Sequence, residues 1–137
     1  MKKILTLLTV IMLAFVGAAK AEAHTFTTGN MTGTIGKYKV VMSLTINDSN
    51  NTVTGWYYYK SKGPKHKIKL SGTCKDQTDM NYNLRINMKE SVGGKVTGTF
   101  AVDFIQISHG MYGGMSVEGS FTTTAGKTYE VFVDRSY

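Results

Sequence analysis

From Lys37 to the end of the chain, side chains alternate apolar and polar with a period of two, and no stretch carries the spacing of an amphipathic helix. In KYKVVMSLTI, residues 37–46, one face takes Tyr38, Val40, Met42, Leu44 and Ile46. The other takes Lys37, Lys39, Ser43 and Thr45, and Val41 is the one apolar exception. NDSNN then supplies a polar turn, and TVTGWYYYK resumes the alternation with Val53, Gly55, Tyr57 and Tyr59 inward. These two segments predict a hairpin that places Ile46 opposite Val53, Val41 opposite Tyr58, Ser43 opposite Trp56 and Lys39 opposite Lys60.

The same pattern predicts further inward rows: Ile68, Leu70, Gly72 and Cys74; Tyr82, Leu84, Ile86 and Met88; Val96, Gly98, Phe100, Val102 and Phe104; Met115, Val117, Gly119 and Phe121; Tyr129, Val131 and Val133. With a short strand over residues 31–35 there are eight strands, separated by segments rich in turn formers. Pro64, the single proline, falls in one of these turns. Eight strands with one apolar face each and no helix to cover them are buried either by closing into a barrel or by stacking as a β-sandwich. Short connections favour the barrel, since a sandwich uses longer crossings. Inward glycines at 33, 72 and 119, and the repeated V-T-G at Val53 and Val96, point the same way, because glycine suits a sharply coiled sheet. The expected fold is all-β, an eight-stranded antiparallel up-and-down β-barrel whose many large inward rings leave little cavity.

The amino terminus reads differently. Lys2 and Lys3 precede a predominantly apolar run, residues 4–16, and a small-residue segment ending in Ala21-Glu22-Ala23. This order predicts a signal peptide over residues 1–23, a barrel domain over 24–137 and an exported protein, periplasmic or extracellular. The apolar run is shorter than the roughly 20 residues of a membrane-crossing helix, so no transmembrane segment is expected after cleavage. Cys74 is the only cysteine and has no internal disulfide partner; at an apolar strand position it reads as a small buried hydrophobe.

Charge is unevenly placed. Residues 37–75 hold eight lysines against one acid, Asp48. On the outer face of the predicted hairpin and the strand after it, with Tyr59 set opposite Ile68, Trp56, Tyr58 and Val41 form an apolar strip. Lys39, Lys60, Lys67 and Lys69 border it, and Lys37, Lys62, Lys65 and His66 lie nearby. Lysines opposite one another in a sheet destabilise it, which makes the row awkward for folding alone, although lysine stems that cover Trp56 and Tyr58, keep the protein soluble and discourage edge aggregation are the plainer reading. Ammonium groups that steer anions, beside rings that stack on sugars, make this a candidate site for an anionic or glycan-type ligand or an envelope component. The same face also suits a homo-oligomer contact. With no arginine to read base edges, it suits nucleic acid poorly.

A second candidate, residues 107–115, is a glycine-rich rim loop carrying His109 and Tyr112. His24, His66 and His109 are too far apart in sequence for metal-ligand spacing, and no catalytic motif is present, so neither metal, cofactor nor enzymatic activity is expected.

The V-T-G-W-Y at Val53 to Tyr57 and V-T-G-T-F at Val96 to Phe100, set in a chain of hairpins, resemble small exported bacterial barrels of the avidin and lipocalin, or calycin-like, type. The resemblance implies a binding role rather than catalysis. An alternative is a protein-interaction module resembling periplasmic lysozyme-type inhibitors, with the segment around His109 and Tyr112 plugging an enzyme's active site.

Overall fold

The computed structural model describes residues 25–77, 84–109 and 112–136, with backbone alone for 107–109 and 112. The expected leader, residues 1–23, and Tyr82 lie outside them. Nine strands run in chain order: β1 (Thr25–Thr27), β2 (Met31–Ile35), β3 (Tyr38–Asn47), β4 (Thr52–Tyr59), β5 (Ile68–Asp76), β6 (Leu84–Val92), β7 (Lys95–His109), β8 (Tyr112–Thr123) and β9 (Thr128–Ser136). Each of β2 to β9 pairs antiparallel with its neighbours in sequence, and β9 returns to pair with β2. The result is the expected closed eight-stranded up-and-down barrel.

The ninth strand adds no stave. β1 and β2 both pair with β3, one beyond the other, so they form a single interrupted stave. At the break, the Thr28 amide donates to the Leu44 carbonyl at 2.9 Å and the Leu44 amide donates to Thr28 Oγ1 at 3.0 Å. The Arg135 guanidinium donates to the Thr28 carbonyl. The hydroxyl and guanidinium thus satisfy groups that the interruption would leave bare.

The inward rows form one core that includes Met31, Val40, Met42, Leu44, Val53, Tyr57, Leu70, Ile86, Met88, Phe100, Val102, Val117 and Val133, all at most 1 % exposed. Burying each large side chain contributes about 1.5–3 kcal/mol. With lysine, threonine, serine and asparagine predominating outside, the polarity is the inverse of a barrel whose wall meets lipid. Closure at this tightness depends on glycine. A Cβ on Gly72 would stand 1.9 Å from the Asn87 carbonyl oxygen of β6, and one on Gly33 would stand 1.9 Å from the Phe132 carbonyl oxygen of β9.

Three expectations need correction. Val96 is 43 % exposed, because the β6–β7 register shifts at Glu90/Ser91 and pairs Ser91 with Val96 directly after Glu90 with Gly98. The bulge reverses the side of the residues before it. Tyr38 is 51 % exposed, since it sits at the barrel rim, edge-on to Tyr59 with centroids 6.1 Å apart and with Lys37 Nζ 5.7 Å from its ring centroid. Residues 107–115 are mostly strand rather than loop, with Ile107 paired to Gly114, Ser108 to Gly113 and His109 to Tyr112.

Candidate functional site

The β3–β4 register is the expected one: Val41 pairs with Tyr58, Ser43 with Trp56 and Ile46 with Val53, and the Lys60 amide donates to the Lys39 carbonyl at 2.9 Å. Tyr57 therefore points into the core while Trp56 and Tyr58 lie on the outer wall, stacked with centroids 5.9 Å apart and planes 14° off parallel. Both rings are half-buried. They lie over the cross-strand partners Ser43 and Val41, only 7 % and 5 % exposed, so Val41 is part of the packing under the strip and not of its surface.

The next register differs by two residues from expectation. Tyr57, not Tyr59, pairs with Ile68, which puts Lys69 beside Trp56 instead of beside Tyr58. Lys60 and Lys67 are not ladder partners, because residues 60–67 are taken up by successive turns. The amides of Lys62 and Gly63 donate to the Tyr59 carbonyl at 2.8 and 3.1 Å, and the His66 amide donates to the Gly63 carbonyl at 3.1 Å. A slip of two preserves which face each residue occupies, so periodicity alone does not detect it.

The corrected register brings Lys67 Nζ to 4.2 Å from the Trp56 ring centroid, within cation–π range. Lys67 also borders an open pocket of about 860 Å³ at the end of the barrel formed by the 60–67 connection and the Gly93–Gly94 hairpin. Lys62, Lys65, His66 and Lys69 line it with Tyr59 and Ile68, and among the described residues no carboxylate lies in its walls. The expected site residues Trp56, Tyr58, Lys39, Lys60, Lys67 and Lys69 all belong to this end or the wall beside it. His109 and Tyr112 do not, since they cap the β7–β8 hairpin at the opposite end; their side chains lie outside the described residues. The outer wall is electrically divided as well. Lysines predominate on β3 to β5, whereas Asp103, Glu118, Glu130 and Asp134 lie on β7 to β9, with Asp103 paired to Arg85 at 3.1 Å.

Beneath the basic end lies a polar cluster whose partners the alternation of the sequence alone does not announce. Glu90, 7 % exposed, accepts at Oε1 from the Tyr57 hydroxyl and at Oε2 from Thr97 Oγ1, the latter at 2.6 Å. Among the described residues it has no ion-pair partner. Tyr59 packs edge-on against Tyr57 with centroids 5.5 Å apart. Burial, reinforced by the hydrogen bond to Glu90, drives the Tyr57 phenol far above its ordinary range, and burial raises Tyr59 as well. Both stay protonated donors through the neutral range. The signal was present in the alternation Leu84, Ile86, Met88, Glu90, whose fourth member falls inward.

Among the described residues, no group of three or more His, Cys, Asp or Glu side chains is arranged to hold a metal ion. Fold and surface together define a closed eight-stranded antiparallel barrel, compatible with calycin-like architecture, that has a filled core and a lysine-lined mouth. A scan against protein-family models and searches of the curated proteins and of the solved structures each found no match.

Proposed function

We propose that this barrel is a non-enzymatic exported binding protein that takes an anionic, glycan-type polymer at its lysine-lined end. The observation that carries this reading is the double position of Lys67, which borders the basic pocket and also stands over the Trp56 ring. A sugar chain carrying carboxylate or sulfate groups would meet ammonium groups in the mouth and ring faces on the adjoining wall. Barrels of the avidin and lipocalin type hold small ligands inside. Here Tyr57, Phe100 and Phe121 fill the interior, with ring centroids 5.5 and 4.6 Å apart, so binding belongs at the rim and outer wall.

The test is retention of the mature protein on immobilised dextran sulfate, with neutral dextran as control. Wild type binds the sulfated polymer with an affinity that falls as salt screens it, and Lys65→Glu with Lys67→Glu weakens binding by about tenfold or more. Trp56 is the only tryptophan, so bound polymer should also slow acrylamide quenching of its fluorescence. Equal retention on neutral dextran, or retention unchanged by the two reversals, would falsify the proposal.

A further inference from the structure

The opposite end of the barrel has a second mouth of contrary character. A pocket of about 460 Å³ opens there, within the size range of small-molecule sites. Its walls include Phe26, Ile46, Leu84, Phe104 and Cys74, and two carboxylates, Asp48 and Asp76, stand among the lining residues. The floor is apolar, with Ile46 and Phe104 each 3 % exposed and Phe26 meeting Phe104 at 6.0 Å between ring centroids, while Thr25, Asn51 and Gln106 join the acids among the lining residues. Cys74 is 6 % exposed, its thiol is free, and it lines this space.

The two acids are close enough to that thiol for their charge to act on it. Burial first, then Asp48 and Asp76, push the Cys74 thiol above its ordinary value. The neighbouring ion pair, Arg85 with Asp103, is committed elsewhere on the outer wall. An apolar well with negative charge beside it is the complement of an amphiphile whose head is positive.

We propose that this second mouth binds a small molecule with an apolar body and an ammonium head, the body seated on Phe26, Ile46, Leu84 and Phe104 and the head held by Asp48 and Asp76. The assignment is independent of polymer binding at the lysine end, because among the described residues the two mouths share no lining residue. A barrel plugged with side chains at its middle thus keeps a separate recess at each end.

The probe is decyltrimethylammonium below its micellar concentration, compared by isothermal titration calorimetry with neutral decanol. Wild type is expected to bind the ammonium compound at one site, about tenfold tighter than the alcohol. Asp48→Asn with Asp76→Asn, both at exposed positions, is expected to remove that preference while the alcohol still binds. Leu84→Trp, a half-buried position, fills the well and is expected to abolish binding of both. Because Cys74 is the only cysteine, its reaction with methyl methanethiosulfonate reads the location, and the ammonium compound should slow it several-fold. Equal affinity for the two probes in wild type, binding that survives Leu84→Trp, or a thiol reaction indifferent to the probe overturns the assignment. Should Leu84→Trp fail to fold, the carboxamide pair and the thiol reaction still decide it.

Discussion

Gly72→Ala is expected to destabilise the barrel by about 3 kcal/mol, an effect at the large end for a single added methyl. The new Cβ would meet backbone, not a movable side chain: the Asn87 carbonyl oxygen at 1.9 Å and Met88 Cα at 2.6 Å. Relief requires β5 and β6 to separate, and a closed barrel cannot open one seam without straining the others. Gly33→Ala should behave alike, since its Cβ would stand 2.6 Å from Val133 Cα across the seam between β2 and β9. Ser71→Ala, one residue away and exposed, should change stability by no more than about 0.5 kcal/mol. Urea unfolding followed by circular dichroism measures all three. A Gly72→Ala protein within about 1 kcal/mol of wild type would mean that the strands are not held as closely as described.

The second large effect concerns Tyr57. Tyr57→Phe removes the donor to Glu90 Oε1 and leaves Thr97 as the remaining donor to a side chain 7 % exposed, at an expected loss of about 2 kcal/mol near neutral pH. The alkaline behaviour changes too. In the unfolded chain a tyrosine ionises near pH 10, whereas the folded Tyr57 phenol stays protonated well above that. Above pH 10 the folded state therefore binds more protons than the unfolded state, and stability falls with rising pH. The contribution is fully present below pH 10 and is lost from there upward, at about 1.4 kcal/mol per pH unit for one such group. Tyr59 adds in the same direction, and Cys74 begins to do so at lower pH. Urea midpoints between pH 7 and 11.5 should show a shallower alkaline decline for Tyr57→Phe than for wild type. Identical slopes would remove Tyr57 from the linkage.

These residues also mark where the sequence can and cannot be read. The placement of Trp56 outside and Tyr57 inside follows from period-two alternation, and the β3–β4 pairing follows from the position of NDSNN between two regular runs. Gly33 and Gly72 announce close strand approach because their missing side chains fall on the inward face. The β4–β5 register is illegible for a physical reason: the 60–67 connection holds several residues able to turn, and a shift of two leaves every side chain on the same face. Lys67 reaches Trp56 through that shift, so the joining of mouth and wall emerges only in three dimensions. Val96 fails because a bulge interrupts the ladder without changing the local pattern of residues. Glu90 continues the inward alternation of Leu84, Ile86 and Met88, but a carboxylate at an inward position is not expected from pattern alone. Its burial depends on hydroxyl partners from β4 and β7, which the local sequence does not reveal.

The division of the outer wall into a lysine side and a carboxylate side gives the molecule a transverse electric dipole. Within a Debye length of a polyanion, about 8 Å at physiological salt, the field exerts a torque on that dipole as well as a pull on the net charge. The barrel would turn its lysine side inward before contact. The side turned outward, where Asp103, Glu118, Glu130 and Asp134 nearly balance Lys95, Lys127 and Arg135, would then be close to neutral, so a coated polymer would repel further basic molecules less than a uniformly basic barrel would.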